Sequence, residues 1–212
     1  MTDTNFVITI GRQLASGGSD VGKALAEYFG FRYIDKEILV KAADVMNVSV
    51  GNLKLADEKN TSVWSVLAQT AICEVPYMAE EWYIPTSKQL FEIQSGIMKK
   101  AVEEGPCVII GRCAPYLFRE YKKHVSIFLH ADMDIRAARL EKRLGDALKG
   151  KDVRKYIEKR DRERAKYYNT FTGRKWLDLR EYDLTLDTTP YSEDEVARIL
   201  CRYIKARFPE LG

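Results

Sequence analysis

No run of about eighteen apolar residues occurs in this chain, so no membrane-spanning helix is expected. The first residues, Met1-Thr-Asp-Thr-Asn5, lack the basic and apolar regions of a secretory leader, and a cytoplasmic protein is the expectation. Cysteine is scarce: Cys73, Cys107, Cys113 and Cys201 show no CxxC spacing. That argues against zinc or a disulfide framework and for buried thiols in a reducing compartment. Internal repeats and low-complexity tracts are absent. Large net charge is missing as well, the balance being only +3. What remains is 212 residues with 46% hydrophobic and 31% charged content, which suits one α/β domain with inserts better than two domains.

The small net charge hides a segregation. Between Arg136 and Lys175 there are 15 Lys and Arg against 6 Asp and Glu. Such a block binds polyphosphate or nucleic acid, or forms the solvated face of a helix. Its aromatics, Tyr156, Tyr167, Tyr168 and Phe171, suit packing as well as base stacking, and nucleic acid is not the expected partner.

Five segments read as strands: Phe6–Ile10, Phe31–Ile34, Cys107–Ile110, Val125–Leu129 and Tyr182–Leu186. Several are continuous apolar runs, as in parallel strands covered on both faces. Helical patterns lie between them, at Ser19–Phe29, Ser87–Val102 and Ile135–Leu144, and a last one at Ser192–Arg207 opens with a capping box, Ser192 with Glu195. The alternation predicts a doubly wound parallel sheet. Residues 36–85, rich in Trp and Tyr (Trp64, Tyr77, Trp82, Tyr83), and the basic stretch at about 146–176 interrupt it as two inserts.

The first strand breaks into Ser16-Gly17-Gly18-Ser19 before the first helix. Strand, Gly-rich loop and helix together point backbone N–H groups and a helix N-terminus at phosphate. Two registers compete. Gly17-x4-Gly22-Lys23 fits the textual Walker pattern, but Ala24 stands where Ser or Thr should be and the helix would start too late. A gapless alternative sets Ile10 to Glu27 on I-D-G-P-S-G-S-G-K-G-T-L-x-K-A-L-A-E, the loop of bacterial cytidylate kinases, and preserves both flanking elements. Gly18 then replaces the phosphate-binding lysine, and Asp20 the threonine.

Other segments extend the resemblance along nearly the whole chain, most weakly between residues 36 and 85. Ile34-Asp35-Lys36-Glu37 is similar to the L-D-S-G-A motif after the second strand, with Asp35 on the acidic position. Cys107-Val-Ile-Ile-Gly-Arg-Cys113 resembles the strand ending in D-G-R-D, with Cys113 in place of the last aspartate. Ser126-Ile-Phe-Leu-His-Ala131, followed by Arg136, Arg139 and Arg143, resembles I-F-L-x-A and its arginine-bearing helix. Arg160-Asp-Arg-Glu-Arg-Ala165 resembles the R-D-x-x-R-A of the lid, and Tyr182-Asp-Leu-Thr-Leu-Asp-Thr-Thr-Pro190 the final strand and turn. The chain is similar to the cytidylate kinase-like family, a divergent branch of the nucleoside monophosphate kinases.

That resemblance implies a three-layer P-loop kinase with a five-stranded parallel sheet. It further implies a single kinase domain with its core at 1–35, 86–145 and 177–212, an acceptor-binding insert at about 36–85 and a lid at about 146–176. The implied activity is phosphoryl transfer from ATP to a nucleoside monophosphate, with CMP or dCMP favoured and Mg²⁺ between the phosphates, with no metal site made by protein alone. Arg112, Arg139, Asp161 and Arg164 would serve the transfer. Arg12, Ser16, Gly17, Gly18, Ser19, Asp20 and Lys23 would hold ATP, and Asp35, Arg112, Asp161 and Arg164 the acceptor. A nucleotide-binding protein without transferase activity is the alternative, because the loop lacks its lysine. Arg12 is expected to replace that lysine more than Lys23 does, unless its role is to pair with Asp35.

Overall fold

The computed structural model describes residues 5–35, 87–145 and 152–212. Its strands are β1 (Val7–Arg12), β2 (Arg32–Ile34), β3 (Cys107–Ile110), β4 (His124–His130) and β5 (Leu184–Asp187). Its helices are α1 (Gly18–Phe29), α2 (Ser87–Glu104), α3 (Ala114–Leu117), α4 (Met133–Leu144), α5 (Val153–Thr172) and α6 (Glu193–Arg207). All strands pair in parallel, in the order β2-β3-β1-β4-β5, which places β1 at the centre.

Each expected strand is present; Cys107–Ile110 matches to the residue, and the others have an end moved by a residue or two. β1 runs two residues further than the apolar pattern, because Gly11 and Arg12 continue the ladder opposite Phe128 and Leu129 of β4. Tyr182 and Asp183 precede β5 instead of opening it, since Tyr182 ends a tight turn over Leu179–Glu181.

Alternation along the strands feeds two cores. Ile8, Ile10, Ile127 and Leu129 pack with Val21 and Leu25 of α1 and with Val196, Leu200 and Ile204 of α6. Val7, Cys107 and Ile109 face the opposite way, onto Met98, Ala101 and Val102 of α2 and onto Phe118. Helices therefore cover both faces, giving three layers. Gly22 permits the close approach of α1 to the sheet, because a Cβ there would run into the side chain of Ile110.

The helix caps follow the sequence. Ser192 and Glu195 form the expected box at α6, and Asp152 accepts a hydrogen bond from the Lys155 N–H at the start of α5. The polar helix α5 is held at its first turns by Ile157, which packs with Leu140 of α4. At its last turns Tyr168 packs with Cys113, Phe128, Trp176 and Tyr182. Part of the basic block is therefore packed: Arg160 is buried, pairs with Glu163 at 3.1 Å and lies over the Tyr156 ring. The expected insert at 36–85 and the first residues of the expected lid, 146–151, lie outside the described residues. Among the described residues no helix is long and apolar enough to cross a membrane.

Candidate active site

A cleft of about 690 Å³ opens at the C-terminal edge of the sheet, where β1, β2 and β3 end beside the start of α1. This is the edge at which open α/β sheets bind ligands. The β1–α1 loop forms its floor. Gly17 caps α1 with a left-handed backbone, φ 86, and no side chain occupies the cap. The Asp20 N–H already donates to the Gly17 carbonyl at 3.1 Å, but the N–H groups ahead of it precede the intrahelical ladder, so the helix start presents donors and a positive dipole end to the cleft. Ala15, also left-handed at φ 62, precedes Gly17. The alternation Ala15, Ser16, Gly17 turns the backbone into a concave nest of the kind that takes anions.

α1 begins at Gly18, as the gapless register requires. Gly22 is a packing glycine one turn into the helix, and Lys23 follows it on the rim. Ser19 and Asp20 also line the cleft. Asp20 forms an ion pair with Arg143 at the end of α4. Ser16 serves the loop itself: buried, it donates to the carbonyls of Gln13 at 3.0 Å and Leu129 at 3.1 Å.

The end of β3 supplies the second wall. Gly111, Arg112 and Cys113 have successive φ values of 72, 56 and 59. Left-handed backbone costs a non-glycine residue about 1 kcal/mol or more. Among the described residues, all three non-glycine residues with positive φ, Ala15, Arg112 and Cys113, lie on this cleft. The strain turns Arg112 into the cleft beside Arg12 and Asp35. Asp35 accepts from the Tyr33 hydroxyl at 3.1 Å and from Ser19 at 3.4 Å. Burial in apolar surroundings pushes the Cys113 thiol up to about 12, so it is an inert, protonated wall residue.

The third wall is α5. Arg164 donates to the Arg12 carbonyl at 3.1 Å and lies 3.9 Å from Asp161. Burial, reinforced by neighbouring Arg12, pushes its pKa down to about 9. Asp161 itself does not line the cleft. One oxygen accepts from the Leu14 N–H at 2.8 Å, and the other meets buried Arg136 of α4. Asp161 therefore fastens the helix to the loop and acts as a positioning residue. Arg139 lines the cleft but spends its guanidinium on Thr188 Oγ1 at 3.1 Å and on the carbonyls of Thr188 and Tyr191, at 3.0 and 2.9 Å. That anchors the β5–α6 turn.

Sequence reasoning passed over one end of the site. Tyr167, Tyr168, Trp176 and Tyr182 line the cleft beside Cys113. The Tyr168 hydroxyl is buried without a hydrogen-bond partner, whereas Tyr182 donates to the Trp176 carbonyl at 2.8 Å. In sequence, Tyr167 and Tyr168 suit packing of the basic stretch and Tyr182 is expected to open a strand; the turn over 173–182 brings them to one wall with Trp176. Chemically, the cleft combines loop amides, the cations Arg12, Arg112 and Arg164, and an aromatic end. It suits a phosphorylated ligand carrying a planar ring.

A cytidylate kinase of Methanopyrus kandleri is 26% identical over 209 residues, covering 94% of this chain and 93% of its own. An uncharacterized protein of Eubacterium ventriosum superimposes with a TM-score of 0.66 at 23% identity, over 95% of this chain and 99% of that one. The shikimate kinase of Bacteroides thetaiotaomicron shares the fold, with a TM-score of 0.55 at 14% identity over 94% and 98% of the two chains. The sheet is that of a P-loop kinase, and with residues 7–190 matching its model, the chain belongs to the cytidylate kinase-like family.

Proposed function

We propose that this kinase transfers the γ-phosphoryl group of ATP to a nucleoside monophosphate, with CMP or dCMP the favoured acceptor. The observation that carries the reading is the convergence of loop amides with Arg112 and Arg164 on one cleft, under a helix bonded directly to the loop. Phosphoryl transfer needs positioning and charge compensation, and no covalent intermediate. The amides at the start of α1 hold the donor phosphates. Arg164 reaches the transferring group from α5, while Arg112 meets the acceptor phosphate from β3. A guanidinium fork matches such oxygens two at a time. Packed against α4 and the loop, α5 excludes water from the reacting centre.

Magnesium fits the oxygen donors present: Asp35 and Ser19, 3.4 Å apart beside the loop, would hold it together with the donor phosphates, where it neutralises their charge. The domain division into a core, an acceptor-binding insert at 36–85 and a lid at 146–176 belongs to the same reading. The relatives named as cytidylate kinases support the acceptor, and the aromatic end beside Cys113 offers its base a place to stack.

A coupled assay across the nucleoside monophosphates with ATP and Mg²⁺ tests this, with fastest turnover expected for CMP or dCMP. Folded protein that turns over none of them overturns the transferase reading. Tight ATP binding without any ADP formed would instead fit a nucleotide-binding protein, a role favoured by Gly18 in the lysine position.

The aromatic end gives a second expectation. Tyr168→Phe removes a buried, unpartnered hydroxyl, so the unliganded protein should unfold at the same temperature or higher. If that hydroxyl meets the acceptor, KM for the acceptor rises about fivefold with kcat nearly unchanged. An unchanged KM would remove Tyr168 from acceptor binding.

A further inference from the structure

The side chain of Arg12 turns from the end of β1 back over the start of α1. A Cβ on Gly18 would lie 2.8 Å from Arg12 Cγ and 2.9 Å from Arg12 Cβ, closer than carbon atoms approach. A Cβ on Gly111 would collide with the guanidinium itself, at Nη1. One glycine thus lies under the stem of Arg12 and the other under its head. Gly111 also needs its left-handed φ of 72, but Gly18 sits in helical backbone, where nothing except space excludes a side chain. Glycine in a helix costs about 1 kcal/mol relative to alanine, and here the room goes to Arg12.

The head of Arg12 is poorly satisfied. Its one carboxylate approach, Nη2 to Asp35 Oδ1, is 3.9 Å, too long for a hydrogen bond. Asp35 turns its other oxygen to Tyr33 and Ser19. Among the described residues Arg12 has no hydrogen-bonded partner for its guanidinium. Burial lowers its pKa, Asp35 opposes that fall and Arg112 adds to it. A half-buried cation, its side chain 20% exposed, that lacks a hydrogen bond among the described residues and lies beside another cation is stabilised by an anion.

We propose that Arg12 is the cation that grips the donor's β- and γ-phosphates, delivered from the strand, and that Arg12 and Gly18 are a reciprocal pair in which only one position can carry a side chain. This deepens the kinase reading and rests on it for the identity of the donor. The guanidinium lies between the ends of β1, β2 and β3 and the first turn of α1, so it faces the same anion as the loop amides.

The test uses the full chain with Arg12→Ala, Lys23→Ala, Gly18→Lys and the double variant Arg12→Ala/Gly18→Lys. MgATP affinity is measured by calorimetry at fixed ionic strength, and unfolding without ligand by temperature. Arg12→Ala should weaken ATP binding by about tenfold or more, while the unliganded protein unfolds at the same temperature or higher. Lys23→Ala should weaken binding by less than about threefold. Gly18→Lys alone should lower the unfolding temperature through the collision with Arg12. In the double variant that temperature should recover, and affinity should rise above that of Arg12→Ala.

Unchanged affinity in Arg12→Ala overturns the proposal, as does a larger loss from Lys23→Ala. Unfolding at lower temperature with affinity intact would make Arg12 a structural partner of Asp35 and overturn it equally. A folded double variant no better than Arg12→Ala overturns the reciprocal pairing. The kinase reading fails separately: wild-type protein that binds ATP through Arg12 but phosphorylates no acceptor retains this proposal and loses that one.

Discussion

Replacing Arg164 by alanine is expected to lower kcat about a thousandfold, or about 4 kcal/mol of transition-state stabilisation, in the assay with the best acceptor. The size follows from its placement. Arg164 is anchored at one nitrogen, Nη1, on the Arg12 carbonyl, and it lines the cleft. Its burial, and the nearness of Arg12, already depress its pKa to about 9, so it is a cation waiting for negative charge. Charge gathers on the transferring phosphoryl oxygens as reaction proceeds, and preorganised donors act most strongly there. Arg164→Lys keeps the charge without the fork and should recover about tenfold of the loss. A structural role would appear as a lower unfolding temperature for Arg164→Ala without ligand. The expected result is little change, since one hydrogen bond is lost and a repelled cation is removed. Turnover within about tenfold of wild type would remove Arg164 from the transfer step.

The sheet was legible because its strands are apolar runs with turn residues between them, and parallel strands buried on both faces leave that mark. Cys107–Ile110 matched to the residue. The end of β1 was not visible, since Gly11 and Arg12 pair as strand residues through backbone bonds to β4 that polarity does not predict. The site was legible only as far as contiguous motifs carry it. Gly17, Gly18, Ser19, Asp35, Arg112 and Arg164 do meet on one cleft. What each side chain does there depends on partners far along the chain. Ser16 looked like a phosphate ligand, yet its hydroxyl reaches Leu129 across the loop. Arg139 looked like a charge-stabilising arginine, but Thr188 and Tyr191 take its guanidinium. The left-handed backbone of Ala15 was hidden for a different reason, because alanine carries no signal for positive φ. The path of Arg12 over Gly18 was half visible: the missing side chain at position 18 could be read, but not which neighbour filled the space.

Asp161→Ala is expected to destabilise the protein by about 3–5 kcal/mol, a large share of the stability of a domain this size. Asp161 balances two buried groups at once. Its Oδ1 accepts from the Leu14 N–H at 2.8 Å, and its Oδ2 meets Arg136, which is only 5% exposed. Truncation leaves a buried guanidinium with the Leu14 carbonyl at 3.4 Å and no carboxylate of this pair, along with an unpaired loop amide. Breaking a buried pair from one side costs more than removing both members, because the survivor remains desolvated. Hence Arg136→Met with Asp161→Leu should recover most of the stability, all the more since the Arg136 Nε already lacks a partner. Asp161→Asn, which keeps an acceptor for Leu14, should fall between wild type and alanine. Denaturant midpoints measure these differences, and a loss below about 1 kcal/mol for Asp161→Ala would mean that the pair is open to water. Catalysis should not follow stability in the double variant. Without Asp161 the hydrogen bond from the Leu14 N–H to α5 is gone and apolar packing of Leu14 near Ile157 is what remains, so Arg164, one turn further along the helix, should lose part of the registry that holds it against the Arg12 carbonyl. A variant that is stable but slow would separate fastening α5 from folding the domain; full recovery of both would leave Asp161 with only a structural role.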